Sequence, residues 1–460
     1  MTQCTPGPTQ LALDFHRERP VVVTFDAPQT SSDGGAVLLR QVDDFLGLSG
    51  WMAQLLPDRR DPVKTQHSTQ ELLRQRIYQI ALGYEDCNDA DWLRHDPALK
   101  TACDLLPFDG GALSSQPTLS RLENSVSMRV VTQMARALID RWVTALPDET
   151  DVVILDIDAT DDETHGGQQL SFFHGYYDHH MYHPLLLFDG AGGELITAIL
   201  RPGNVHAGRG AARLLRRVIR AIKHRFPSAQ VVVRGDAGFS LPAIMNELER
   251  LDAELGDELG DVDYLLGLAK NDVLLRLAAP VLEAAGQQQR ASGGTVKLFS
   301  SFLYATKETW PQPRRVVVKA EHSDKGANPR FVVTSLEGVR PDWLYHAYIQ
   351  RGAAENWIKD LKNALAADRL SCCRFAANAF RLLLHSAAYV LMHALRTQLA
   401  PLAPRLATAQ FDTLRLRLLK VAALVSRSAR RILIRLPRAF PFATAFHDLA
   451  FTLNAARAPA

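Results

Sequence analysis

The sequence predicts a mixed α/β core with a mainly helical region on its N-terminal side and a helical, basic region at its C-terminal end. Three observations carry this. Apolar residues recur at helical spacing from residue 36 to about 147, as in AVLLRQVDDFLGL and STQELLRQRIYQIALGY. From 151 onward, short apolar runs bounded by acids or glycines replace them, beginning with DVVILDID. Helical spacing then returns from 346.

Residues 1–35 are punctuated by Pro and Gly, with one strand expected at VVVTF (21–25). The N-terminal helical region, 1–147, ends with SQPTLSRLENSVSMRVVTQMARALIDRWVTAL. The first part of the core, 148–240, holds DVVILDID, the strand-like LSFFHGYYDHHMYHPLLLFDG and GELITAILRPG, a basic helix GRGAARLLRRVIRAIKHRF, and the buried strand VVVRGDAGF. Strands alternating with helices suit an α/β sheet. Residues 241–345 read as a β-rich insertion: DYLLGLA, TVKLFSSFLYAT, PRRVVVKAEHS and PRFVVTSL, separated by turn residues. The second part of the core, 346–400, opens on the helix YIQRGAAENWIKDLK, and 401–460 forms the basic C-terminal region.

At 460 residues, 47% hydrophobic and 22% charged, the chain has the composition of an ordinary soluble protein with room for several cores. Cys4, Cys87, Cys103, Cys372 and Cys373 form no CxxC pair, so reduced thiols in a cytosolic compartment are expected. The N-terminus has no basic stretch leading into an apolar one, so no signal peptide is expected. The longest apolar stretch, AFRLLLHSAAYVLMHALR, is interrupted by Arg381, His385 and His393 and reads as a buried helix rather than a membrane span. Net charge is only +2, but its distribution is uneven. Eight acids fall in 148–163, eight Lys or Arg and no acid in 201–225, and ten Lys or Arg against Asp412 and Asp448 in 401–460. Basic surfaces around an acidic pocket suit an enzyme that uses a metal and acts on a polyanion.

The acidic pocket can be assembled from residues. Asp156 and Asp158 share strand parity, so their side chains leave one face. Asp236 ends an apolar strand and precedes Gly238, which permits a tight turn. Ligands commonly bind at such strand ends, although an aspartate there also serves simply to cap a turn. On an ideal helix Tyr348, Arg351, Glu355 and Lys362 fall at roughly 0°, 300°, 340° and 320°, with Lys359 beside them. Ala354, Trp357, Ile358, Leu361 and Leu365 gather opposite as a core-facing stripe. Read alone, the polar face is a solvated one with an Arg351–Glu355 pair. Two strand-end aspartates converging with Glu355 would instead supply hard oxygen ligands for two Mg²⁺ or Mn²⁺ ions.

LDIDATDDETHG, VVRGDAGF and Y-x2-R-x3-E-x6-K together resemble the DDE signature of bacterial insertion-sequence transposases, in the group named after insertion sequence four and, within it, the IS-thirteen-eighty family. The likeness runs from SQPTLSRLEN through LGLAKN (266–271) to the basic C-terminus. It implies an RNase H-like catalytic core with a β-strand insertion between the second Asp and the Glu, which the 118 residues between Asp236 and Glu355 would accommodate. Carried over by position, Asp158, Asp236 and Glu355 are the catalytic carboxylates and metal ligands, and Asp156, on the same face as Asp158, is either itself the first metal ligand or a supporting group. The resemblance implies double-stranded DNA as partner, with terminal inverted repeats and target DNA both engaged, a homodimer in the synaptic complex, and Mg²⁺ or Mn²⁺ as cofactor. It makes Tyr348, Arg351, Lys359 and Lys362 candidate DNA contacts, joined by Lys270 and by Trp310, which by its KETWPQP setting also reads as a core or turn residue.

His174, His179, His180 and His183 look like a transition-metal cluster, but 180 faces away from 179 and 183 on a strand, so a structural or DNA-facing role is expected. Three rival readings remain. A nuclease or resolvase on the same core would cut without joining; a DNA-binding descendant would do neither; a histidine-based hydrolase would survive loss of Asp236.

Overall fold

The computed structural model describes residues 11–456 apart from 14, 16–17, 20, 25, 109–110 and 256–260. Cys4 and the start of the N-terminal segment thus lie outside the described residues, as does the last residue of VVVTF. The chain forms two compact units. One contains Asp58–Ser120 together with the chain up to Gln54 and from Ala394 onward; the other contains Leu55–Pro57 and Arg121–His393.

The second unit is organised by one sheet. Its main strands are β1 (Val152–Ala159), β2 (Leu185–Asp189), β3 (Leu195–Ile199), β4 (Gln230–Gly235), β5 (Val262–Leu268), β6 (Val296–Tyr304), β7 (Arg314–Ser323) and β8 (Arg330–Thr334). Their order across the sheet is β6-β7-β8-β5-β4-β1-β2-β3. β1, β4 and β5 run parallel, while β2 and β3 on one side and β8, β7 and β6 on the other are antiparallel to their neighbours. The strands of 241–345, β5 to β8, therefore widen this sheet through the β4–β5 pairing.

Strand alternation divides the residues between two faces. Val153, Leu155 and Ile157 of β1 and Val231 and Val233 of β4 are buried with α1 (Met128–Ala145), α2 (Ala211–Arg225), α3 (Pro242–Leu255) and α4 (Asp272–Ser292) in one large apolar core. The even-numbered residues of β1, Asp156 among them, lie on the opposite face. There α5 (Pro341–Ile349), α6 (Ala353–Lys359) and α7 (Phe375–Leu399) pack, with Leu344 and Tyr345 over Leu265, Val317 and Val332. Trp357 of α6 and Tyr389 of α7 both lie against Phe188 of β2, with ring centroids 5.5 and 5.9 Å away. α7 is long and apolar enough to cross a membrane, but its apolar window is wholly buried within the fold.

The helix expected over 348–362 is continuous but irregular. α5 passes through a 3₁₀ turn at Gln350–Gly352 into α6, and a π turn follows at Asp360–Ala364. Such local departures from α geometry often mark functional segments.

In the first unit, the helix Thr69–Leu82 begins on a capping box in which Ser68 and Glu71 satisfy each other's backbone N–H groups. The C-terminal region corrects the helical expectation. Ala423–Ser428 and Arg431–Arg435 form an antiparallel hairpin that pairs with Thr30–Ser31, and a helix follows only at Ala443–Ala456. Alternation in ALVSRS and RILIR around a two-residue turn outweighs the helix-like spacing of the arginines. The four described cysteines are free thiols; Cys87 and Cys103 are buried and Cys373 is exposed.

Candidate active site

β1 and β4 are neighbouring parallel strands in register, Gly235 opposite Ile157, so Asp236 and Asp158 leave the sheet side by side. Each caps its own turn with one oxygen: Asp158 Oδ1 accepts from the Ala159 N–H at 2.8 Å, and Asp236 Oδ1 from the Gly238 N–H at 2.9 Å. The capping role is therefore real. It leaves the second oxygens free for other work.

Asp158 is held in an environment that resists its charge. Burial pushes its carboxyl up to about 6, the neighbouring Asp236 adds to the shift, Arg351 opposes it, and Glu355 raises it further. Glu355 itself is exposed on α6. Arg351 Nη1 stands 3.7 Å from Asp158 Oδ2 and lies over the Tyr348 ring. The polar helix face thus points at the two aspartates.

Asp156 does not join them. Its two oxygens accept from Arg234 Nε and Nη2 at 2.7 Å each, both side chains are almost wholly buried, and Arg234 also donates to the carbonyls of Ala347 and Gly190. A carboxylate so engaged already has its charge balanced by a buried guanidinium, so a cation would gain little from it. This corrects Asp156 as a ligand: the ion pair lies two residues before Asp158 on β1 and two before Asp236 on β4, and it locks the two strand ends together.

Other candidates are placed as follows. Lys362 donates to the Asp161 carbonyl at 2.7 Å and to Asp161 Oδ1 at 2.9 Å, so its ammonium is committed within the protein rather than free for phosphate. Lys359 and Lys270 are exposed, Lys270 just past the end of β5. Trp310 corrects its reading as a base-stacking residue: it is 8% exposed, packed on Tyr304 and under the Arg314 guanidinium. His183 is buried against the Val205 carbonyl, and burial takes its imidazole down to about 4. His179 Nε2 lies 3.7 Å from Asp161.

Sequence reasoning missed three residues. Arg234 carries the buried partner of Asp156. Tyr177 presents its phenol to Asp161, Asp158 and Asp236, and burial followed by those carboxylates raises it to about 12. Asp162 is buried with neither oxygen bonded, and its carboxyl is pushed well up by burial and by Asp368. The histidines of FHGYYDHH drew attention away from Tyr177, and nothing in the sequence sets Asp162 apart from its neighbour Asp161.

Gly267 shows how closely these elements pack. A Cβ there would come within 2.5 Å of Tyr348 Oη and 3.0 Å of the Ala237 nitrogen. Gly267→Ala is expected to destabilise the fold by about 1–3 kcal/mol and to displace Tyr348 and the Asp236 turn. A urea midpoint equal to that of the wild type would refute this.

Among the described residues no group of three or more His, Cys, Asp or Glu is drawn close enough to hold a metal ion. By chemistry, the donor set of Asp158, Asp236 and Glu355 still fits a hard divalent cation, because all three supply carboxylate oxygens and both Asp236 and Glu355 bear on the Asp158 charge, which Arg351 offsets.

Fold and site together define a mixed α/β protein with two aspartates side by side at neighbouring strand ends and Arg351 of the following helix set against one of them. The family model for the transposase DDE domain group 1 matches residues 13–458, and the chain belongs to that family. A piggyBac transposase synaptic complex with hairpin DNA is a structural match at TM-score 0.38 and 11% identity, covering 84% of this chain and 82% of that one. No curated protein matches the chain.

Proposed function

We propose that this transposase binds the terminal inverted repeats of its own insertion sequence and moves it by cut-and-paste, in the IS-four-like group and its IS-thirteen-eighty family. The observation that carries the reading is the side-by-side placement of Asp158 and Asp236 at the ends of β1 and β4, where burial first, then Asp236 and more weakly Glu355, raise the Asp158 carboxyl to about 6. The strand order, with β1 between an antiparallel pair and two parallel strands, supports an RNase H-like core. On this reading 1–147 is the end-binding region, 148–240 and 346–400 form the core, 241–345 is its insertion, and 401–460 adds basic surface.

Asp158, Asp236 and Glu355 would hold Mg²⁺ or Mn²⁺, two ions per site, which activate the attacking oxygen and stabilise charge on the phosphate. Arg351 would meet the scissile phosphate, Tyr348 would brace that guanidinium, and Lys359 and Lys270 would touch flanking backbone. Water adds to phosphorus and the P–O3′ bond breaks, leaving a 3′-OH. That hydroxyl then attacks a target phosphodiester and releases the target's 3′-OH. Two ends must be held at once, so a homodimer acts, on DNA in the bacterial cytoplasm.

The test is cleavage and joining of a labelled duplex carrying the repeats that flank the coding region, with Mg²⁺, Mn²⁺ or EDTA. Wild type should nick at the repeat boundary and yield joined products, and Asp236→Ala and Glu355→Gln should lose both. Cutting without joining would favour a nuclease, and cutting that survives both substitutions would refute the site.

A further inference from the structure

A cavity of about 1500 Å³ in the second unit runs between α1 and α2. Its floor is apolar, with Ile139, Val143 and Leu214, and its rim is almost entirely arginine. At one end the arginines are neutralised: Arg216 pairs with Glu247, Arg217 with Asp140, Arg220 with Glu254 and Arg225 with Asp148. At the other end, where α2 begins, they are not. Arg209 and Arg213 are exposed and make no ion pair among the described residues.

The start of α2 is prepared in a second way. Gly210 precedes it at φ +83°, no side chain caps it, and its first turn holds no acid. A 15-residue helix so left presents the positive end of its dipole, with the Ala211 N–H held by the Gly208 carbonyl. Beneath it lies Arg201, 6% exposed. Its Nε donates to the His183 carbonyl, and its Nη1 to the carbonyls of Ala207 and Arg209, at 2.7 Å each. Its Nη2 is buried with no partner, and Arg201 is among the residues lining the same cavity. The one carboxylate lining the cavity, Asp140, is taken by Arg217, so the buried Arg201 guanidinium, which burial lowers to about 10, is left without an anion.

We propose that the N-terminus of α2, with Arg201, Arg209 and Arg213, is a phosphate-binding site that takes a backbone phosphodiester of DNA or a free phosphate. The DNA source rests on the transposase reading; the phosphate chemistry does not. The loop that leads into α2 packs directly on the Asp236 turn, since a Cβ on Gly208 would meet the Gly238 carbonyl at 3.0 Å. A phosphate bound here would therefore sit on the strand that carries Asp236 and fix the register of a duplex entering the site.

The experiment compares the full-length wild type with Arg209→Gln/Arg213→Gln, whose side chains are exposed, and with Arg201→Lys. Arg217→Gln/Arg220→Gln, at the neutralised end, controls for lost charge. Two readouts are taken: the rise in Tm caused by inorganic phosphate over chloride at equal ionic strength, and the slope of log affinity for a duplex against log salt. Phosphate is expected to raise the Tm of the wild type and of the control pair but not of the other two variants. If the source is DNA, the slope should also become shallower by about 1 to 2 in Arg209→Gln/Arg213→Gln, each lost phosphate contact removing roughly 0.9. Loss of the Tm shift with an unchanged slope identifies free phosphate. An unchanged Tm shift and slope in all variants overturns the proposal, even if the wild type cuts DNA. A lost Tm shift in a protein that binds no duplex sustains the site and refutes the transposase reading.

Discussion

Replacing Arg234 with methionine is expected to lower the stability of the second unit by about 3–5 kcal/mol, the cost of leaving one member of a buried ion pair alone. Asp156 would then keep a charge at 2% exposure with no cation beside it. The loss should be visible as a lower urea midpoint for the transition that exposes the β1–β4 core. Asp156→Leu combined with Arg234→Met should recover much of it, because two apolar side chains can fill the same space without a charge to bury. DNA cleavage should recover less than stability, since the pair also aligns the strand ends carrying Asp158 and Asp236. A single substitution that leaves the midpoint unchanged would refute this role.

Asp158→Asn is expected to abolish cleavage and, in metal-free buffer, to make the protein more stable above about pH 6. The sign follows from the raised carboxyl. In the unfolded chain the group titrates near its ordinary value; in the fold it holds its proton up to about 6. Below about pH 4 both states are protonated and the substitution changes little. Between these values the unfolded state has already released the proton that the fold retains, so wild-type stability falls as pH rises, by up to roughly 3 kcal/mol. Asparagine carries no such burden. Mn²⁺ should restore stability to the wild type at pH 7.5 and leave the variant unaffected, because a ligand stabilises only the state that binds it. A pH-independent difference between the two proteins would contradict the electrostatic origin of the shift.

Much of this site was legible because it follows from two periodicities. Strand alternation placed Asp156 and Asp158 on one face, and the polar helix face included Arg351, which the structure sets 3.7 Å from Asp158. What alternation does not reveal is the neighbouring strand. The role of Asp156 depends on Arg234 lying opposite it in the β1–β4 register, a pairing set by distant parts of the chain. Lys362 shares the face of Glu355 yet is claimed by Asp161, for the same kind of reason. Trp310 follows its local signal: its KETWPQP setting reads as a core or turn residue, and β7 brings Arg314 over its buried ring. The C-terminal hairpin was hidden because its arginines also fit a helical spacing. The unpaired end of α2 emerged only from knowing which arginines had partners.

The central claim is that Asp158, Asp236 and Glu355 act as one cation-binding set. The most direct measurement is a calorimetric titration of Mn²⁺ into the full-length protein at pH 6.5, beside Asp158→Asn, Asp236→Asn and Glu355→Gln. Wild type should bind with release of protons, as the Asp158 carboxyl gives up its share, and each variant should lose most of that binding. Equal Mn²⁺ affinity in the wild type and all three variants would contradict the claim.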